Sequence, residues 1–550
     1  MQYQNMTFGE IPTTCFRAER PSFFHNGVKP KETDQPFDAF LRKLRTTVRN
    51  DRFTFVYNGV PVMAHPKWIR DHVYEMKGYK HWETDLKKYL EIIVENQSPE
   101  GFFYEMVQLD SDYHTTVVDE SCKKKIEGQG LTLVRLDVEA DVEFLVVEGV
   151  YTVYTSTGDT AWLRRMLPGL ERAVEYCTSS PKRWDSAHGL MKRPYTIDTW
   201  DFAYDISASH RMIASDSRMC IMHGDNTGLY QAMMQLSVMC RAVGADDQAL
   251  SWQSHARQLK ERLDRYCWNG RFYTHQIPLN CTAVDTHEKE RLSLSNAYAM
   301  TRGAVTDEQA QAILSEYQLR RETAGAFAEW FSIDPPYEET FNGHPKNTYV
   351  NGGIASLTAG ELAHAAFLYG REAYGWDIIQ RLMRLVERDG ELHFLYDPET
   401  GADLGGGPSG WGAAAIIDAI DDGLAGIRNG GICYDTLYFS PKWAITDMKQ
   451  VKYITGLALS HTFIESYFVL QEDGIKIQLA CPSDRIVCHI LLPKEIRQVQ
   501  AVTCDGKTAV YTLSAQNDSV YVDFLLKGHG RSTDLTEYPE QVSLNIEIRF

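Results

Sequence analysis

Long apolar runs, paired cysteines and a surplus of basic charge are all missing from this 550-residue sequence. No window approaches the about eighteen uninterrupted apolar residues of a membrane-spanning helix. The opening MQYQNMTFGEIPTTCF has no basic segment followed by an apolar run, which argues against a secretory leader. Lys and Arg number 56 against 74 Asp and Glu, a formal net charge of −18, so nucleic acid and anionic membrane surfaces are repelled. The eleven cysteines are odd in number, scattered, and never spaced C-x-x-C. Cys177 in ERAVEYC and Cys240 in LSVMC lie inside apolar helical runs, as small buried hydrophobes of a reducing, cytoplasmic compartment do. No Cys/His cluster has ligand spacing and no glycine loop has the form of a nucleotide cradle, so neither metal nor cofactor is expected. With 43% hydrophobic residues the chain is globular, and a neutral ligand suits its charge.

What is there is a repeated pair. A long amphipathic stretch ends at a glycine, and a second starts almost at once. It reads VEADVEFLVVEGVYTVYTSTG then DTAWLRRMLPGLERAVEYC, recurs from NTGLYQAMMQLSVMC, and again from GGIASLTAGELAHAAFLYG. Gly158, Gly244 and Gly370 suit the left-handed position that ends a helix, and Asp159 and Asp246 the start of the next. Apolar residues recur at helical spacing, as in Leu163, Met166, Leu167 and Leu170. The pattern predicts roughly eleven or twelve helices between about residues 65 and 430. The first member of a pair is often apolar on all sides and the second only on one, which two concentric rings of helices satisfy. An open solenoid is the alternative. Beyond Trp443 the period falls to two, in IKIQLA, IVCHILLP, AVYTLS, SVYVDFLL and VSLNIEIRF, an antiparallel β-domain. The expected organisation is mainly α: residues 1–60 an N-terminal arm with a strand at Phe53–Tyr57, 61–445 the helical barrel, and 446–550 a β-sandwich-like domain.

Long polar-aromatic loops carry the candidate chemistry. In HPKWIRDHVYEM, Arg70 and Asp71 after Trp68 offer donors and a carboxylate beside an aromatic face, suited to neighbouring sugar hydroxyls; a local ion pair is the plainer reading. In KRPYTIDTWDFAYD, Asp198 and Asp201 flank Trp200, with Tyr195 close by. Aromatic neighbours desolvate a carboxyl and keep it protonated, ready to act as an acid; a helix cap among core aromatics is the alternative. The third loop, EWFSIDPPYEETFNGHPKNTYVNGG, holds Glu329, Glu338, Glu339 and His344. A fourth, RDGELHFLYDPETGADLGGGPSGW, holds Glu391, His393 and Asp397 and ends at Trp411. His65, His72, His223 and His344 read singly as structural histidines before substrate contacts.

Taken together these segments resemble the six-hairpin glycosidase superfamily, with motifs similar to those of family 63 glycoside hydrolases, trehalases and glucoamylases. WIRDH looks like the Trp-x-Arg-Asp element, and IDTWDF is similar to the segment whose acidic residue after Trp is the general acid. HGDNTGLYQAMMQLSVM, NTYVNGG and LYDPETGADLGGGPSGWGAAAIIDAI resemble later elements in the same order, across about residues 65–445. The resemblance implies an (α/α)6 barrel and an exo-acting, inverting glycosidase (a hydrolase of carbohydrate metabolism) with a carbohydrate substrate. It implies Asp201 as the acid, and Trp68, Arg70, Asp71, Tyr195, Asp198, Trp200, Glu338, His344 and Trp411 around the sugar. An inverting pair needs carboxyls about 6.5–9.5 Å apart on opposite faces of the sugar, so Asp198 and Asp201, three residues apart, cannot both serve.

One departure stands out. Where the family places its general-base Glu, two residues before the Tyr of Tyr-Asp-Pro, this chain has Phe394. A phenyl ring cannot take a proton from water. The base then comes from Glu391, Asp397, Glu338 or Glu339, with Glu339 the choice; or the chain is a phosphorylase, in which phosphate attacks. An epimerase or lyase on a related barrel, or a carbohydrate-binding protein without hydrolysis, are further alternatives. Oligomeric state is not legible.

Overall fold

The computed structural model describes residues 13–15, 35–198, 200, 211–281, 287–341, 343–528 and 542–550. Thirteen α-helices lie among them: α1 Pro36–Asn50, α2 Ile69–Tyr79, α3 Lys88–Glu95, α4 Tyr113–Val117, α5 Val142–Thr157, α6 Thr160–Ser179, α7 His223–Ala242, α8 Asp246–Cys267, α9 Ser295–Thr301, α10 Asp307–Thr323, α11 Ser356–Leu368, α12 Glu372–Asp389 and α13 Gly410–Asp418.

The hairpin signals act where the sequence puts them. Gly158 closes α5 at φ +69°, and the Asp159 carboxylate accepts the Trp162 N–H at 2.9 Å to open α6. Thr306 and Gln309 form a reciprocal capping box on α10. Within the pairs, α11 is buried along nearly its whole length, while α12 buries one face. Six of the helices are neighbours in a cycle: α2 packs on α5, α5 on α7, α7 on α9, α9 on α11, α11 on α13, and α13 on α2 again. Small residues make the closest of these contacts. A Cβ at Gly360 of α11 would lie 2.7 Å from Ala415 of α13, so the two backbones approach only because Gly360 has none.

Strands follow, and two sheets hold most of them. One orders Thr13–Cys15, Gln450–Leu457, Thr462–Gln471, Gly474–Cys481, Val542–Arg549, Ala501–Cys504 and Lys507–Thr508; the other orders Ile427–Asn429, Thr436–Phe439, Arg485–Leu491, Ser519–Lys527 and Tyr511–Gln516. Pairing is antiparallel except for Thr13–Cys15 on Gln450–Leu457 and Thr436–Phe439 on Arg485–Leu491. The second of these sheets begins at Ile427, just after α13 gives way to a π-helical turn at Ala419–Leu424. Within the expected arm, residues 36–50 form α1. Phe37, Phe40, Leu41, Leu44 and Val48 are buried, and α1 packs on α13, α2 and α12. The hairpin Phe53–Tyr57 with Val60–Ala64 follows it.

The β-region seats on one end of α2, where the Ala458 N–H donates to the Lys80 carbonyl and His81 Nδ1 lies 2.8 Å from the Gly456 carbonyl. The other end of α2, beginning at Trp68, opens on a cavity.

Candidate active site

That cavity has a volume of about 640 Å³, within the about 300–1,000 Å³ of small-molecule sites. Five parts of the chain build it: the end of α1 and the turn after it (50–53), the start of α2 (66–75), Trp200, Tyr349, and the segment 394–411 that leads into α13. Its aromatic wall is continuous. Tyr349 meets Trp200 edge-on at 5.6 Å between ring centroids, Trp200 lies 5.8 Å from Phe394, and Phe394 6.4 Å from Trp411. Tyr74 stacks behind Trp411 at 4.5 Å, and the indole N–H donates to the Tyr298 hydroxyl at 2.8 Å, so the ring is locked.

The polar wall is acidic. Asp51, Asp71 and Glu75 line it with three cations, Arg52, Lys67 and Arg70. Each cation already has a carboxylate. Arg52 pairs with Glu83 at 2.8 Å, Lys67 lies 3.4 Å from Asp112, and Arg70 clamps Asp141 with two bonds of 2.6 and 2.9 Å while also reaching Glu139. Two buried acids that precede α5 therefore position Arg70.

Asp51 Oδ2 and Glu75 Oε1 converge beside the Cα of Gly410, and both carboxyls are pushed up from the ordinary carboxylate range. For Glu75 the main cause is burial, followed by the charges of Asp51 and Asp71. For Asp51 burial outweighs the hydrogen bonds from Glu75 and from the Gly410 amide, which donates to Oδ2 at 2.9 Å. Gly410 cannot be any other residue without moving them: a Cβ there would overlap both carboxyl groups.

Of the residues singled out in the sequence, Trp68, Arg70, Asp71, Trp200 and Trp411 share this cavity, and Phe394 faces it too. Asp201 lies outside the described residues. Tyr195 and Asp198 are buried away from the wall. The Tyr195 hydroxyl donates to Glu288 at 3.0 Å. Asp198, at φ +49°, accepts the Ser295 N–H at 3.0 Å and the Ser295 hydroxyl, so it holds the start of α9. Glu338 and Glu339 are exposed; Glu338 pairs with Lys346, and neither lines the cavity. His344 stands behind the wall, its ring 4.6 Å from that of Tyr349, with partial burial lowering its pKa. Asp397 is tied into its own loop by Thr400, and Glu391 stands beside His393 at 3.7 Å. Glu329 is buried under a two-bond clamp from Arg381. His65, His72 and His223 are buried.

Among the wall residues that went unread in the sequence are Asp51, Arg52, Lys67, Glu75 and Tyr349. Glu75 alone left a signal, four residues after Asp71 and so on the same face of a helix.

Among the described residues no group of His, Cys, Asp and Glu is arranged to hold a metal ion, and no helix is long and apolar enough to cross a membrane. The ten cysteines described there are free thiols.

No family model matches the sequence, and no curated protein matches it. Solved structures do. An α-L-rhamnosidase from Dictyoglumus thermophilum aligns over 94% of this chain and 50% of its own, with 12% identity and a TM-score of 0.57. A GH78 family rhamnosidase of Bacillus sp. GL1 aligns over 82% of this chain and 40% of its own, with 15% identity and a TM-score of 0.51. A GH63 mannosylglycerate hydrolase from Thermus thermophilus covers 69% of this chain and 99% of its own, at 16% identity and a TM-score of 0.49. The chain thus spans half or less of the two rhamnosidases' length. The likeness is one of fold.

Proposed function

We propose that this chain is a glycoside hydrolase that removes a terminal sugar, with its helices closed into an (α/α)6 double ring over residues 61–445 and the sugar in the cavity at the start of α2. The observation that carries the reading is the composition of that cavity. Flat indole faces stack on the C–H faces of a pyranose, and carboxylates accept its hydroxyl hydrogens; Trp68, Trp200 and Trp411 supply the first, Asp51 and Asp71 the second. The two rhamnosidases that share the fold act on sugars by name, in line with this reading.

The mechanism is exo-acting and inverting, with Asp201 beside Trp200 as the acid that protonates the leaving oxygen. An acid in this position contributes about 10² or more in rate. Phosphorolysis is the second reading, favoured by Phe394 in the wall. Against it, each of the three wall cations is already neutralised by a carboxylate, leaving little to attract a phosphate dianion. A panel of 4-nitrophenyl glycosides, assayed with and without inorganic phosphate, separates the readings. Hydrolysis independent of phosphate is expected, with Asp201→Asn lowering turnover about 100-fold. Strict dependence on phosphate would replace hydrolase by phosphorylase, and sugar binding without turnover would reduce the protein to a lectin-like one.

A further inference from the structure

We infer that Asp51 and Glu75 share a single proton, and that Asp51 is the group that takes a proton from the attacking water, filling the role that Phe394 leaves vacant. The inference rests on the hydrolase reading for its substrate and on the geometry of the pair for its chemistry.

The two carboxyls occupy different depths. Glu75 sits on the inner face of α2 and is 1% exposed; Asp51, at the end of α1, is only partly buried, and both border the cavity. The Asp51 and Glu75 oxygens converge beside Gly410 with no cation between them, so ionising both is costly and a single proton held between them relieves the repulsion. The deeper group keeps it, because its charged form is the more costly to bury. Glu75 Oε2 has no hydrogen-bond partner, and the nearest cation-capable group, His65 Nδ1, is 3.8 Å away. Asp51 receives the Gly410 N–H and the Glu75 proton, two donors that fix its orientation. The other titratable and charged groups facing the pair are Asp71 and Tyr79 on α2 and His65 before it. Arg52, next in the chain, is turned to Glu83.

In the step this supports, the Asp51 carboxylate accepts a proton from water as the water oxygen bonds to the anomeric carbon. The bond from that carbon to the leaving oxygen breaks, and the leaving oxygen takes the proton of Asp201. Two protons move, and no oxidant or metal is needed. Asp51 is the catalytic residue of the pair; Glu75, one layer further in, positions it.

The pair can be read without any substrate. Infrared difference spectra of the whole protein at neutral pH, wild type minus Glu75→Gln, are expected to contain the carbonyl band of a protonated carboxylic acid. Its absence overturns the shared proton. With an aryl glycoside that the wild type hydrolyses, Asp51→Asn should lose about 100-fold or more in kcat. The loss should persist on the glycosyl fluoride of the same sugar, whose leaving group needs no acid, whereas Asp201→Asn should recover there. Glu75→Gln keeps a neutral donor to Asp51 and should leave the acid limb of kcat/KM in place. Glu75→Leu removes the donor and should move that limb to higher pH. Wild-type turnover in Asp51→Asn, with Asp201→Asn still slow, overturns the base assignment and leaves the hydrolase standing. A wild type that hydrolyses no glycoside removes the hydrolase reading and the base role with it, and the infrared band still decides the pair.

Discussion

Two buried glutamates of this protein differ chiefly in their company. Glu75 is 1% exposed and Glu288 is 4% exposed. Around Glu288 the polar groups close into a complete set: His275 Nδ1 at 2.9 Å, Arg291 Nη1 at 3.1 Å, and the hydroxyls of Tyr195 and Tyr337 at 3.0 and 3.1 Å. Burial alone would raise its pKa, yet the imidazole and guanidinium hold it below the ordinary value. Glu75 meets another carboxyl instead, and burial drives it well above. A saturated network fixes structure, whereas a carboxyl left short of partners at a cavity is a candidate for chemistry. The aromatic-rich segment 192–205 supplies both: Tyr195 belongs to the closed network and Trp200 to the open wall.

The largest effect expected from this contrast is on stability. Glu288→Leu leaves Arg291 and His275 buried without their anion and should cost about 3–5 kcal/mol in urea unfolding. Glu75→Leu removes a carboxyl that has no cation and should stay within about 1 kcal/mol of the wild type, or exceed it. Equal losses at the two positions would mean that burial, not company, sets the difference.

A smaller effect comes with pH, and its sign differs between the two. Both carboxyls start from an ordinary value of 4.5. Glu288 titrates lower in the folded state, so its contribution is present above that value and is lost as pH falls through its folded pKa. Glu75 titrates higher, so the folded state holds the extra proton, and stability declines as pH rises from 4.5 toward its folded pKa. The penalty of Glu288→Gln should therefore vanish in acid, while Glu75→Gln should gain on the wild type as pH rises. Parallel curves in a chemical-denaturation series across pH would contradict the assignment of either proton.

Sequence and structure agree best where a signal is local and periodic. Gly158 ending one helix and Asp159 starting the next are visible in the chain because both act within a turn. The strand Arg485–Leu491 alternates in burial and is legible, and Gly474–Cys481 is legible because its residues alternate apolar and polar even though it is almost wholly buried; Gln450–Leu457 and Thr462–Gln471, also buried almost continuously, lack that alternation. Helix α1 was readable, with apolar residues at 37, 40, 41, 44 and 48, but a turn-rich neighbourhood masked it. At the site, Trp68, Arg70 and Asp71 fall together because helix α2 starts there. Asp51 could not be placed, since only the packing of α1 on α2 and α13 brings it to Glu75 and Gly410. Tyr195 and Asp198 are buried and do not line this cavity. Polar-aromatic density marks a loop as important without saying which side chains turn inward.

The smallest effects belong to the surface loop that carries Glu338 and Glu339. Both are exposed, and Glu338 is paired with Lys346 in open solvent. Such a pair gains little, because water screens the attraction and two long side chains lose freedom in making it. Lys346→Ala should change stability by no more than about 1 kcal/mol. Glu339→Gln should leave turnover of an aryl glycoside within about twofold of the wild type, since an exposed carboxylate off the cavity wall has no water to activate against the sugar. A loss of about 100-fold in that variant, with Asp51→Asn near normal, would return the base to this loop and make the Asp51–Glu75 pair a structural one.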